Sequence, residues 1–161
     1  MRLALYQPDI PPNVGALMRL GACLGVPLDV IEPCGFPLGD KTMRRAALDY
    51  SAHADVSRHV SWADFLITRP GGSRLILLST KADLCYTDFH FRPNDILMVG
   101  RETAGVPDTV WAETDAQITI PMVADVRSLN VATAAAMVLG EALRQTGLLA
   151  TASSLTASAA S

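Results

Sequence analysis

The stretch IPMVADVRSLNVATAAAMVLGEAL, Ile120 to Leu143, decides how the rest of the chain is read. A strand ends at Pro121. A loop then carries Asp125, Arg127 and Ser128, and either Ser128 or Asn130 can cap a helix by accepting backbone N–H groups of its first turn. From Val131 to Leu143 the helix is apolar or small on every side except at Thr133 and Glu141. A helix with no polar face has to be covered all round. A sheet can cover one face. In a chain of 161 residues a partner subunit is the economical cover for the other, so a homodimer is expected, with burial inside one monomer as the competing reading. The helical pattern runs on to Thr146, and Gly147 supplies its stop.

Upstream of this stretch, strands and helices alternate. Leu3 to Tyr6, Leu28 to Ile31, Leu75 to Ser79, Asp95 to Val99 and Gln117 to Ile120 read as strands, with a further short one near Val56. Asn13 is the expected N-cap of a helix in which Val14, Leu17, Met18, Gly21 and Leu24 recur at helical spacing, with Gly25 as its stop. Trp62 to Ile67 predicts another helix, and a short basic one is expected around Lys41 to Leu48. The runs LILLS and ILMVG are apolar without interruption, as in strands buried on both faces. The fold class is therefore α/β, a mostly parallel sheet flanked by helices. Residues 1–149 form one domain. The tail, 150–161, holds only Ala, Ser, Thr and Leu and is expected to be mobile.

Two further segments carry chemistry. GRETAGVP, Gly100 to Pro107, follows an apolar strand, and ligands bind beyond the carboxyl ends of strands in open α/β sheets. Its two glycines let the backbone bend tightly and expose its polar groups. It is neither G-x-G-x-x-G nor a Walker loop, and Glu102 suits a cationic or hydroxyl-bearing ligand better than a phosphate. NVGALMR, Asn13 to Arg19, starts a helix after a strand. Arg19 lies about 140° around that helix from Val14, off the buried stripe and able to reach a ligand. The bland alternatives are a plain turn for the first segment and an exposed helix arginine for the second.

Composition narrows the function classes. Half of the residues are apolar and mean hydropathy is +0.27, which excludes a wholly disordered chain. No stretch reaches ~18 uninterrupted apolar residues, and no secretory signal is visible, so the cytoplasm is the expected location. The three cysteines and three histidines show no metal-ligand spacing, and no metal is expected. Net charge is −3, mildly against a nucleic-acid binder, yet 11 of the 13 cations are arginine. Lys41, Arg44, Arg45 and Arg74 could form a local basic patch, against the alternative of a scattered solvated surface.

Taken in order, N-x-G-x-x-x-R, G-x-E-x-x-G-(hydrophobic)-P and I-P-M…S-L-N-V resemble the three motifs of the SPOUT RNA 2′-O-methyltransferases. The likeness spans about Met1 to Leu148. LYQPDIPPNVG, VIEPCGFPL, RRAALDY and LLSTK are similar to the compact subgroup that modifies the wobble cytidine or uridine of tRNA. The resemblance implies a SPOUT domain with a C-terminal deep trefoil knot, S-adenosyl-L-methionine as cofactor, a homodimer, and the tRNA anticodon stem-loop as partner. By position it places Leu78, Gly100, Ile120, Met122, Ser128 and Leu129 against the cofactor. Arg19, Asn13, Glu102 and Asn130 fall in the catalytic group, and RNA contact falls to Lys41, Arg44, Arg45 and Arg74.

A guanidinium stays protonated in proteins, so Arg19 is a poor base. Gripping a neighbouring phosphate and favouring a developing alkoxide suit it better. Arg101-Glu102-Thr103-Ala104 departs from the Pro-Glu-Ser or Pro-Glu-Thr followed by a basic residue of many relatives, and the tail has no counterpart. The alternatives are methylation of another tRNA or rRNA nucleotide, a catalytically silent RNA-binding homologue, and a nucleotide-binding oxidoreductase. The last lacks the glycine fingerprint.

Overall fold

The computed structural model describes residues 1–37 and 54–149. Six strands form one parallel sheet: β1 (Arg2–Tyr6), β2 (Leu28–Ile31), β3 (Val56–His59), β4 (Leu75–Leu78), β5 (Ile96–Val99) and β6 (Ala116–Ile118), in the order β3-β2-β1-β5-β4-β6. The described helices are α1 (Pro11–Leu24), α2 (Trp62–Thr68), α3 (Asp108–Ala112) and α4 (Val131–Thr146). The expected α/β architecture and its parallel sheet are present. The short basic helix and the tail expectation both lie outside the described residues.

Alternation along β1 shows how the core is divided. Leu3 and Leu5 face α1 and α4, among Leu17, Val138 and Leu139. Ala4 and Tyr6 face the opposite side with Phe65 and Val110, from α2 and α3. Side chains alternate between faces along a strand, so one five-residue segment feeds both cores. Phe65 is fully buried, a burial that stabilises by about 1.5–3 kcal/mol. The three layers put the carboxyl ends of all six strands on one edge.

Two boundaries differ from expectation for identifiable reasons. Asn13 is not the N-cap of α1: the helix begins at Pro11 with Ile10 as its cap. Proline lacks an N–H and fits the first helical turn, so Pro11 and Pro12 pull the start two residues earlier. Asn13 becomes a buried residue of the first turn with its side chain turned elsewhere. The last strand stops at Ile118, short of Ile120. Beyond it Thr119 bonds the segment at Leu84 to Tyr86, its N–H reaching Leu84 O at 2.8 Å.

Candidate active site

The carboxyl edge of the sheet opens into a cleft of about 560 Å³. Leu78 ends β4, Val99 ends β5 with Gly100 just after it, and Ile120 with Met122 follow β6. Ser128, Leu129 and Asn130 close it from the entry to α4, and Ile10 with Asn13 from the start of α1. Every residue expected against the cofactor therefore lines one cavity. Asn13, Glu102 and Asn130 line it too.

Those three polar residues form a single hydrogen-bonded chain. Asn130 Nδ2 donates to Asn13 Oδ1 at 2.9 Å, and Asn13 Nδ2 donates to Glu102 Oε1 at 3.0 Å. The other Glu102 oxygen accepts the Asp9 backbone N–H at 2.8 Å. Asn130 Oδ1 also caps α4, accepting from the N–H groups of Ala132 and Thr133. Of the two expected caps, Asn130 is the one used. Three segments separated by about ninety and thirty residues are thus joined through side-chain amides and one carboxylate.

The GRETAGVP loop is closed by its own backbone. Arg101 and Gly105 exchange N–H···O bonds of 2.9 Å in both directions. A Cβ on Gly100 would sit 2.7 Å from the Gly105 carbonyl carbon, and Gly105 itself has φ +67°. Neither position accepts a side chain without strain, so both glycines are required for this narrow clasp.

The other expected residues fall elsewhere. Arg19 is exposed on α1 and does not line the cleft. Arg74 stands before β4, at the opposite edge of the sheet, where its guanidinium donates twice to Asp95 and once to His90 O. Lys41, Arg44 and Arg45 lie outside the described residues. Sequence reasoning gave no role to Lys81, Arg101 and Arg127, three cations that line the cleft. Their signal was scattered over three loops that only the fold brings together.

Two titratable groups outside the cleft lining are shifted by burial. Burial, with Glu32 adding to it, pushes the Cys34 thiol up to about 11. Burial also raises the Tyr6 hydroxyl above its ordinary value, against an opposing pull from Arg101. Among the described residues no three His, Cys, Asp or Glu side chains gather as a metal site, and no helix is long and apolar enough to cross a membrane.

The SpoU rRNA methylase family matches residues 1–140. The chain belongs to this family. A tRNA (cytidine(34)-2′-O)-methyltransferase of Beijerinckia indica is 60% identical to this SpoU methylase over 149 residues, covering 92% of this chain and 93% of that protein. The protein of the same name from Escherichia coli K12 is 41% identical, covering 91% and 94%. A solved structure described as giving insights into the 2-OH methylation of C/U34 on tRNA superposes with a TM-score of 0.84 at 42% identity, over 89% of this chain and 94% of that one. The SpoU methyltransferase AviRb of Streptomyces viridochromogenes, solved with AdoMet, gives 0.78 at 26% identity, over 90% and 60%.

Proposed function

We propose that this SpoU methylase transfers a methyl group from S-adenosylmethionine to the ribose 2′-hydroxyl of the wobble cytidine or uridine of tRNA. One observation carries the reading: the Asn13–Glu102–Asn130 chain ties all three motifs together at the wall of a single cleft. The names of relatives 41–60% identical supply the nucleotide.

The cleft suits this cofactor. Its volume of about 560 Å³ is that of a small-molecule site, and Leu78, Ile120, Met122 and Leu129 give it apolar walls beside the polar groups of Asn13, Glu102, Ser128 and Asn130. S-adenosylmethionine, when bound, supplies a methyl group on a cationic sulfonium. The chain's own residues have to align and activate the 2′-hydroxyl. Asn13 sits at the start of α1 and fixes that helix against the second motif. Arg19, farther along the exposed side of α1, grips a substrate phosphate and favours the developing alkoxide. Glu102 holds rather than reacts, because both of its oxygens already accept hydrogen bonds.

Backbone contacts to RNA fall to Lys41, Arg44 and Arg45, joined by Lys81, Arg101 and Arg127 at the cleft. Arg74 is a weaker candidate, with its guanidinium already engaged at the far edge. The homodimer belongs to the same reading. Met137 on α4 is 41% exposed, and Ile10 and Leu129 beside the cleft are 40% and 41% exposed. A second copy over α4 would cover such a surface, and sedimentation at low micromolar concentration then gives twice the chain mass. The trefoil knot, a single domain over 1–149 and a cytoplasmic location go with the proposal.

The test is direct. Purified protein, S-adenosylmethionine and tRNA are incubated, and the digested nucleosides are read by mass spectrometry. A 2′-O-methylated pyrimidine from position 34 is expected. Methylation at another nucleotide favours the first alternative. RNA binding with no heat on cofactor titration favours a silent homologue.

A further inference from the structure

Asp9 contacts every residue of the Arg101–Thr103 segment, more than ninety residues away. Its backbone N–H donates to Glu102 Oε2 at 2.8 Å. Its Oδ2 accepts the Thr103 N–H at 3.2 Å and the Thr103 hydroxyl as well. Its Oδ1 lies 3.6 Å from Arg101 Nε. Thr103, Ala104 and Gly105 are exposed, so packing does little to hold them.

Asp9 is itself held in place from behind. Gly35 donates its N–H to Pro8 O at 2.9 Å, and a Cβ on Gly35 would come within 3.0 Å of the Asp9 Cα. From the strand side, Gln7 turns the chain at φ +46°, a conformation rare for a residue with a side chain. Gln7 O also lies 3.4 Å from Arg101 Nε as its acceptor. The segment is therefore pressed between Gly35 and the second-motif loop, with its carboxylate aimed at that loop.

We propose that Asp9 is a positioning residue: its backbone N–H through Glu102, and its carboxylate through Thr103 and Arg101, clasp the Gly100–Gly105 loop in the shape that receives the cofactor. The carboxylate does not line the cleft, and its effect passes through the loop that does. The cofactor part rests on the reading above; the clasp itself does not.

Two readouts keep these apart. Hydrogen exchange of the Arg101 and Gly105 amides reports the clasp in the free protein. Calorimetric titration with S-adenosylmethionine reports its consequence. In Asp9→Ala both amides exchange at least about tenfold faster, and the cofactor dissociation constant rises by about tenfold. KM for the cofactor follows, while kcat changes by a smaller factor. Asp9→Asn keeps an oxygen acceptor for Thr103 and restores most of the affinity.

Thr103→Val removes the hydroxyl contact and leaves the Asp9–Glu102 bond, so it covers the case of an Asp9→Ala protein that does not fold. It weakens cofactor binding by a smaller factor, and the double variant is no weaker than Asp9→Ala alone. Unchanged amide exchange in both single variants overturns the clasp. Faster exchange with cofactor affinity within twofold of wild type overturns the positioning role. A wild-type protein that gives no cofactor heat sinks the functional reading while the exchange result still decides the clasp.

Discussion

Both edges of the sheet carry hydrogen-bonded polar groups, and they use them in opposite ways. At the amino edge, Asp95 is fully buried and accepts from Arg74 Nε, Arg74 Nη2 and the Arg92 N–H. Close by, Asp29 takes two bonds from Arg2 and faces His59 at 2.9 Å. Each is a compact cluster of hydrogen-bonded charge, and none of its residues lines the cleft. At the carboxyl edge the amides of Asn13 and Asn130 and the Glu102 carboxylate are strung along the wall of a cavity. A buried ion pair that closes on itself holds the fold together; a polar chain beside a void shapes a site.

Substitutions at the two edges should separate stability from activity. The largest effect is expected at Arg19→Ala, which abolishes methyl transfer and leaves calorimetric cofactor binding nearly intact; activity within about threefold of wild type would remove Arg19 from the site. Asp95→Ala tests the other edge. It removes the acceptor of the Arg74 guanidinium and of the Arg92 N–H and lowers urea-measured stability by about 1–3 kcal/mol, with unaltered cofactor affinity in the protein that remains folded. Asn13→Ala blurs the contrast on purpose. It cuts activity by about a hundredfold through misplacement of α1, at a stability cost of about 1–3 kcal/mol. Asn130→Ala loses the cap of α4 for about 1 kcal/mol and weakens cofactor binding with it.

The smallest effect concerns Cys34, whose thiol is raised from 9.0 to about 11 in the fold. The folded state holds this proton more tightly than the unfolded chain. Its contribution is fully present below pH 9 and is lost as pH rises through about 11. Thermal unfolding followed across that window should show a decline that Cys34→Ser reduces, with the part due to the raised Tyr6 hydroxyl remaining. At pH 8.5, iodoacetamide should label exposed Cys23 before Cys34.

Much of this was legible in the residues. Uninterrupted apolar runs mark β4 and β5, because strands covered on both faces have no polar positions to alternate. The resemblance names nine residues that line the cleft. What stayed hidden depends on contacts between distant segments. Asn13 looks like a cap until two prolines shift the helix start and free its side chain for Glu102. Arg74 looks like a basic surface residue until Asp95, twenty-one positions later, takes its guanidinium. Asp9 lies inside the stretch LYQPDIPPNVG, but nothing local reveals its role, since its hydrogen-bond partners lie beyond Gly100.

The place of β1 in the sheet sets a timetable for biosynthesis. Leu3 pairs with Leu28 on one side and with Leu97 on the other. Ribosomes add about 5–20 residues per second, so the newborn first strand waits roughly 5–20 s for its second neighbour to emerge. Throughout that interval the five-residue β1 border of the nascent sheet stands open to whatever else can pair with it.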